Sequence, residues 1–157
     1  MPLEALNVVF DCPIYAQALI NPRGPAAACL TRAQSEEFRL FLSEYVIREI
    51  RELPTKIDVR LGVTPDRVER LLLDLAKYVR FVEHVPEVYV HPHDPDDSPY
   101  VDLAIASGSS LIVSRDRHLL DLMDPSREEG RAFRAQFAAL RIVDPTSLLR
   151  ELDRARS

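Results

Sequence analysis

Two short apolar runs that each lead into an aspartate constrain the fold of this chain more than any other feature. Residues 6–10 are followed directly by Asp11, and residues 111–114 are followed after one residue by Asp116. Continuous apolar runs of this length are typical of strands that are buried on both faces, as in parallel sheets covered by helices. In such sheets ligands bind beyond the carboxyl ends of the strands, so both aspartates are predicted to lie at a binding crevice.

Two further acidic residues occupy positions where a helix would normally place an apolar residue or a cap. Glu49 lies in residues 43–53, which predict a helix with Ser43 as its N-cap, and it falls within the apolar arc of that helix. Asp97 precedes the predicted helix 98–107 and shares a face with its apolar residues. Because a buried carboxylate is costly unless it is paired, protonated or bound to a cation, the four acids together predict a metal site.

Each acid also has a plain structural explanation when it is taken alone. Asp97 fits a helix cap, Asp11 and Asp116 fit turns, and Glu49 fits a salt-bridged residue at the edge of an apolar face. The metal-site interpretation rests on the whole set and on its order along a doubly wound sheet. It therefore predicts that the four side chains converge.

The rest of the chain alternates between strand and helix patterns, which predicts an α/β fold with a parallel sheet. Besides the two runs above, strands are predicted at residues 39–42, 81–85 and 140–143. Helices are predicted at residues 14–19, 26–30, 43–53, 65–78, 98–107, 126–139 and 146–154. The length of 157 residues suits one domain with a sizeable core, and no linker or repeat divides it.

Composition and charge argue against several classes of protein. The sequence offers no signal peptide and no apolar run of spanning length, so we expect a soluble, cytoplasmic protein without membrane attachment. Cys12 and Cys29 lack metal-site spacing and are expected to be reduced, buried thiols. The net charge of −5 does not fit a protein held on nucleic acid by a broad basic surface, although part of that charge belongs to the predicted metal site.

Five motifs, taken in their order along the chain, resemble the PIN-domain family and, within it, the VapC-like toxin components of toxin-antitoxin pairs. The motifs are Val9-Phe10-Asp11, Pro22-Arg23-Gly24-Pro25, the helix from Ser43-Glu44 to Glu49, Asp94-Pro95-Asp96-Asp97 with the helix after it, and Leu111-Ile112-Val113-Ser114-Arg115-Asp116. The resemblance spans almost the whole chain. It is carried by the ordered set and its spacings rather than by any one motif.

The resemblance implies a three-layer α/β/α fold around a parallel sheet, in a single PIN-like domain covering residues 1–157. It implies a divalent-metal-dependent endoribonuclease that hydrolyses phosphodiester bonds in single-stranded or loop RNA, with Mg²⁺ or Mn²⁺ as cofactor. The core acids of the family correspond here to Asp11, Glu49, Asp97 and Asp116. Ser114 corresponds to the family's small hydroxyl residue, and Asp96 and Arg115, which stand in the same motifs, are expected to support the centre.

The same resemblance implies partners. Toxins of this type are usually held inactive by a small antitoxin whose tail lies across the acidic cleft, often with an arginine directed at the carboxylates. Such domains often form homodimers. In this chain Leu72, Leu73 and Leu75 place apolar side chains on more than one face of a predicted helix, which suits a second burial surface.

One position departs from the family pattern, because Cys12-Pro13 stands where Thr-Asn usually follows the first acid. The missing asparagine would help to order the site and its metal-bound water, so a catalytically weak or inactive domain that binds RNA or protein is the alternative. A nucleophilic Cys12 is disfavoured because no histidine base or phosphate-binding loop accompanies it. A phosphotransfer domain of the receiver or dehalogenase type is also disfavoured, since Pro13 replaces the second aspartate and no lysine follows Lys77.

The histidines are assigned no functional role from the sequence. The run His91-Pro92-His93-Asp94 resembles the start of a binuclear metallohydrolase motif, but its prolines predict a solvated loop and no further histidine cluster supports it. His84 and His118 are expected to be structural or surface residues. Carboxylate oxygens suit Mg²⁺ or Mn²⁺, whereas zinc favours histidine and cysteine ligands.

Overall fold

The structure, a computed structural model, describes residues 6–156, and its centre is a sheet of parallel strands. The strands are β1 (Asn7–Phe10), β2 (Arg39–Ser43), β3 (Arg80–Val82), β4 (Leu111–Val113) and β5 (Arg141–Val143). Their order across the sheet is β3-β2-β1-β4-β5, and every neighbouring pair is parallel. The predicted α/β fold with a parallel sheet is confirmed.

Helices connect the strands, as crossovers between parallel strands require. Within residues 6–156 the helices are α1 (Cys12–Ile20), α2 (Pro25–Gln34), α3 (Glu44–Lys56), α4 (Pro65–Leu75), α5 (Ser98–Ser107), α6 (Arg117–Leu120), α7 (Glu128–Gln136) and α8 (Pro145–Arg156). The chain moves from β1 towards β3 through α1 to α4, then returns past β1 through α5 to reach β4. Crossovers in opposite directions place their helices on opposite faces of the sheet, which gives the three layers.

This reversal of direction creates the crevice in which a site is expected. Strands β1 and β4 lie side by side, yet the connections that follow β1 and precede β4 run on opposite faces of the sheet. The carboxyl ends of these two strands form the switch point at which open α/β sheets bind ligands. Asp11 follows β1 and Ser114 follows β4, so the topology brings these two residues together.

The two central strands form the middle of the hydrophobic core. Val8, Val9 and Phe10 of β1 have no exposed surface, and the same is true of Leu111 and Ile112 in β4. Helix α5 packs against both strands from one side. The backbone beyond the strand ends is therefore fixed on a rigid base, which allows the acids there to be held in defined positions.

The start of α3 has the cap predicted from the sequence, and α4 is capped in the same way. Ser43 Oγ accepts a hydrogen bond from the Val46 amide at the start of α3, and Thr64 Oγ1 accepts from the Arg67 amide at the start of α4. Helix α3 continues past its predicted end to Lys56, because Pro54 lies so close to the end of the helix that few backbone bonds are lost. That extra turn brings Lys56 onto the same side as Glu49.

The segment between β3 and α5 differs most from expectation. Strand β3 ends at Val82, so it is shorter than the predicted strand 81–85, and residues 83–94 are irregular. Asp102, buried in α5, accepts the backbone N–H groups of Val88 and Tyr89 through its Oδ1, at 3.0 and 2.9 Å. This carboxylate supplies hydrogen bonds that a strand would otherwise have provided.

Among residues 6–156, no helix combines the length and the apolar character needed to cross a membrane. Cys12 and Cys29 are both buried and both are free thiols, as predicted.

Candidate metal centre

Asp11 lies at the end of β1 with no exposed surface. Ser114 donates a short hydrogen bond from its hydroxyl to Asp11 Oδ2. Asp11 Oδ1 is buried and has no hydrogen-bond partner among the described residues. Burial raises the pKa of Asp11 to about 7, since water is excluded from its charged form, and the charge of Asp116 raises it further.

Ser114 connects the two strand ends. Its hydroxyl donates to Asp11 and at the same time accepts the backbone N–H of Asp116 at 2.9 Å. Asp116 in turn begins α6, where its Oδ1 accepts the backbone N–H of His118 at 2.7 Å. The turn after β4 is thereby fixed relative to Asp11, with the half-buried Asp116 beside it.

Asp97 approaches the same place from the start of α5. It is only 7% exposed, and its Oδ2 is buried without a hydrogen-bond partner within residues 6–156. The pKa of Asp97 is raised to about 8, first by burial and then by the charges of Asp116, Asp94 and Asp11. A carboxylate that feels three other carboxylates lies in a concentrated field of negative charge. The charges of Asp11 and Asp116 therefore both act on Asp97, although the three residues come from separate segments of the chain.

The charge of Glu49 is not among those that act on Asp11 or Asp97. Glu49 is half-buried in α3, and its Oε2 lies 3.2 Å from Lys56 Nζ. Its charge raises the pKa values of Cys12 and Tyr45, which places it on the Cys12 side of Asp11. In this state the carboxylate of Glu49 is neutralised by a lysine.

Cys12 is buried at the start of α1, directly after Asp11. Burial raises the pKa of its thiol to about 12, and the charges of Glu49 and Asp11 raise it further. Such a thiol stays protonated at neutral pH, which agrees with the expectation that Cys12 is not a nucleophile. The neighbouring Pro13 is exposed in the first turn of α1, where a proline costs little because no helical partner exists for its missing N–H.

The two residues expected to support the centre lie at its margin. Asp96 is exposed, and its backbone carbonyl accepts a hydrogen bond from the Tyr45 hydroxyl at 3.4 Å. Arg115 is exposed, and its charge lowers the pKa of Asp144, so the guanidinium lies towards β5. Neither side chain is among the groups that shift the pKa of Asp11 or Asp97.

The histidine-bearing loop before α5 is not solvated throughout, contrary to expectation. His91 is 1% exposed, and its ring lies 5.9 Å from that of His118 and 6.1 Å from that of His93, measured between centroids. This arrangement was not predicted, because His118 follows β4 and meets the loop only in the folded protein. The one available signal was that Asp94 and His118 each lie within a few residues of a predicted site acid.

The fold and the acidic crevice define a class of protein: a doubly wound α/β domain with carboxylates gathered at the β1–β4 switch point. The sequence profile of the PIN domain matches residues 7–118, from the start of β1 to His118. The chain therefore belongs to the PIN-domain family.

Individual proteins resemble the chain along most of its length. It is 23% identical to the uncharacterized protein MJ1680 of Methanocaldococcus jannaschii, over 95% of this chain and 93% of that one. The crystal structure of PAE2754 from Pyrobaculum aerophilum matches with a TM-score of 0.58 and 22% identity, over 96% of this chain and 90% of that one. VapBC2 from Rickettsia felis, solved bound to a DNA fragment from its promoter, matches with a TM-score of 0.53 and 10% identity, over 88% and 98%. The structural likenesses extend the same fold to distant sequences.

Proposed function

We propose that this protein is a divalent-metal-dependent endoribonuclease that cleaves single-stranded or loop RNA. Membership of the PIN-domain family supports a nuclease hydrolase. The observation that carries the proposal is that the charge of Asp116 acts on both Asp11 and Asp97, although the three residues come from separate segments of the chain. Acids placed in this way repel one another and are costly without a cation, which argues for a function rather than for stability.

The donor set fits Mg²⁺ or Mn²⁺. All of the gathered ligand atoms in the proposed centre are carboxylate oxygens, and these are the ligands that both ions accept. Asp11 Oδ1 and Asp97 Oδ2 are buried and lack hydrogen-bond partners within residues 6–156, so each has a free position for a cation. Glu49 would supply the fourth carboxylate by giving up its contact with Lys56.

The residues of the chain orient and tune this centre. A divalent cation, when bound, supplies an activated water and stabilises charge on the phosphoryl and leaving oxygens. The Ser114 hydroxyl donates a hydrogen bond to Asp11 and accepts one from the backbone N–H of Asp116. One side chain therefore orients both of these residues. Lys56 neutralises Glu49 and carries a positive charge at the edge of the crevice, where it attracts an RNA phosphate.

Substitutions that remove one charge and preserve shape test the assignment. Asp11→Asn and Glu49→Gln are expected to abolish Mn²⁺-dependent cleavage of single-stranded RNA while circular dichroism stays native. Glu52→Gln is the matched control, because Glu52 lies on the same helix and also contacts Lys56, at 3.4 Å. Unchanged turnover in Asp11→Asn or Glu49→Gln, at equal folding, removes that residue from the centre.

The alternative, a weak or inactive domain that binds RNA or protein, is favoured by one feature, the Cys12-Pro13 pair beside Asp11. Pro13 is exposed and carries no amide with which to order a water molecule. Pro13→Asn is expected to increase the rate of cleavage by the folded protein. Activity that does not rise means that the position is compensated or that the protein has another task, and complete absence of cleavage by both forms supports the binding module.

We further propose that the protein is the toxin of a toxin-antitoxin pair and that a small antitoxin covers the acidic crevice. The likeness of the fold to VapBC2 supports this assignment. An arginine from the partner would pair with the carboxylates that otherwise repel one another. A co-expressed neighbouring small protein is expected to inhibit cleavage and to compete with Mn²⁺ at the centre. Binding that leaves Mn²⁺ affinity unchanged contradicts this placement of the antitoxin.

A further inference from the structure

A second group of metal-ligand side chains lies beside Asp97. Asp94, Asp97 and His118 each offer one ligand atom, and these atoms all lie within 4.8 Å of one another. Asp94 precedes the short turn that leads into α5, whereas His118 lies in α6 beyond β4. The group therefore exists only because the fold brings two distant segments together.

A buried histidine fixes the two segments relative to each other. His91 Nδ1 accepts the backbone N–H groups of His93 and Asp94, at 3.0 and 3.1 Å. Its Nε2 lies 2.8 Å from the backbone carbonyl of His118. Because Nδ1 accepts two hydrogen bonds, the proton belongs on Nε2, which then donates to that carbonyl. The neutral ring of His91 thus clamps the backbone of Asp94 to the backbone of His118.

The ligand side chains are also held individually. Asp94 Oδ1 accepts the backbone N–H of Asp96 at 3.1 Å, which leaves Oδ2 directed at the ring of His118, 3.6 Å from its Nδ1. Asp116 fixes the backbone N–H of His118 from the other side. Groups held in this way lose little freedom when they bind a ligand, which is the condition for a pre-organised site.

Asp97 supplies independent evidence that a ligand belongs here. An exposed cluster of acids needs no cation, since water solvates each charge. Asp97 is 93% buried, the complement of its 7% exposure, and its Oδ2 has no hydrogen-bond partner in the described part of the chain. A carboxylate in this condition is costly unless a proton or a cation satisfies it.

We propose that Asp94, Asp97 and His118 bind a divalent transition-metal ion, Mn²⁺ in preference to Mg²⁺, at a position next to the proposed centre. Mg²⁺ prefers an all-oxygen shell and retains its water, whereas first-row transition-metal ions bind sites that mix imidazole nitrogen with carboxylate oxygen, with affinities that rise from Mn²⁺ to Co²⁺. Asp97 is shared between this position and the centre formed with Asp11 and Asp116. The inference deepens the proposed function by naming a second cation, and it is tested by metal binding without RNA.

The test is a comparison of metal affinities in wild type and His118→Gln. The side chain of His118 is 47% exposed, so its replacement by glutamine leaves the core intact. Titration calorimetry with Mn²⁺ is expected to show that one of the bound ions loses at least tenfold in affinity. Removing even a residue that only contacts a metal ligand costs about this much. The affinity for Mg²⁺ is expected to change much less. The visible absorption of bound Co²⁺ is expected to shift, because a nitrogen ligand is lost.

His93→Gln is the matched control. Its ring lies 6.3 Å from that of His118, its side chain is 56% exposed, and it faces Glu129 at 3.6 Å rather than Asp94. This variant is expected to bind Mn²⁺ and Co²⁺ like wild type. Asp94→Asn should weaken Mn²⁺ binding as His118→Gln does, while asparagine preserves the cap on Asp96.

Equal Mn²⁺ affinity in His118→Gln and His93→Gln would overturn the inference, and so would an equal loss of Mg²⁺ and Mn²⁺ affinity in His118→Gln. The two proposals fail separately. If no RNA is cleaved but Mn²⁺ binding depends on His118, only the proposed ribonuclease activity is wrong. If cleavage depends on Asp11 but Mn²⁺ binding does not depend on His118, only the proposed second metal site is wrong.

Discussion

At the scale of single residues, the raised pKa of Asp97 makes the stability of the metal-free protein depend on pH. Asp97→Asn is expected to stabilise the chelated protein at pH 8.5 by about 1 kcal/mol, a common size for relief of functional strain. The same change is expected to reduce the stabilisation that millimolar Mn²⁺ confers by binding the native state. Thermal unfolding with chelator and then with metal measures both effects.

The direction follows from the two pKa values of Asp97. The pKa is about 8 in the folded protein and near the usual 3.8 in the unfolded chain, so the folded state binds the proton more tightly. Protonation of Asp97 therefore stabilises the folded state. This stabilisation is complete below about pH 4 and is lost as the pH rises through 8. Asp102→Ala is the contrasting control, since Asp102 Oδ1 accepts two backbone N–H groups and removing this acceptor should destabilise the protein. A metal-free Asp97→Asn variant that unfolds more easily at pH 8.5 would make Asp97 structural.

Lys56 gives a second prediction at this scale. Lys56→Gln is expected to tighten Mn²⁺ binding in the absence of RNA by about two- to fivefold, since exposed ion pairs contribute up to about 1 kcal/mol. The reason is that Glu49 loses the cation that now neutralises it. Lys77→Gln is the matched control, because Lys77 contacts Asp74 at 3.5 Å on α4 and the chain has no other lysine. Calorimetric affinities that are equal in the two variants would mean that Glu49 does not bind the ion.

Sequence reasoning located the acids but not their present partners. Asp11 and Asp116 were found because apolar runs end beside them, and the parallel order of the strands then requires those ends to meet. The pairing of Glu49 with Lys56 depended on a helix that continues past Pro54, which local propensity does not favour. The clamp formed by His91 could not be predicted, since a histidine between prolines carries no periodicity and its partners are backbone groups of distant residues.

At the scale of secondary structure, hydrophobic periodicity predicted the centres of the strands and of the longer helices. It did not predict the irregular segments. The four-residue helix α6 was missed because so short a helix has no measurable periodicity, and its formation depends on the cap supplied by Asp116. Strand β3 was predicted too long, since only Phe81 and Val82 of the predicted strand 81–85 pair with β2 at the edge of the sheet. Tertiary contacts decide the outcome for such segments.

Helix α5 ends at a glycine in the left-handed backbone conformation. Gly108 follows the helix with φ of +70°, and a Cβ there would meet no atom within 4 Å. Gly108→Ala is therefore expected to destabilise the protein by about 1 kcal/mol through backbone strain alone. Gly108→Asn is the matched variant and should cost less, because asparagine tolerates the left-handed conformation. Urea unfolding with equal midpoints for the two variants would show that the conformation relaxes without cost.

At the scale of the whole molecule, an apolar groove lies between α3, α4 and β3. Leu73 is 69% exposed and Phe81 is 51% exposed, and both line this groove beside the half-buried Leu72. We propose a homodimer through this groove. Leu73→Glu is expected to convert the protein to a monomer in sedimentation experiments, since a charge in an apolar interface is strongly unfavourable.

Val90→Glu is the control for this prediction. Val90 is 78% exposed and lies in the irregular segment before α5, away from the groove. It is expected to leave the sedimentation of the protein unchanged. A wild-type protein that remains monomeric at high concentration would contradict the proposed dimer, as would dissociation by Val90→Glu alone.

The parallel pairing of β1 with β4 has a consequence for how the protein is made. Ser114 meets Asp11 across 103 positions of the chain, and no local hairpin can substitute for that contact. Parallel sheets of this kind pay the entropy of closing long loops before their contacts form, and they fold slowly. On the ribosome, the first acid would leave the exit tunnel long before its partners are synthesised. A nascent chain that stops before β4 holds Asp11 without Ser114 or Asp116, so the cell is not exposed to the assembled centre until most of the polypeptide has been translated.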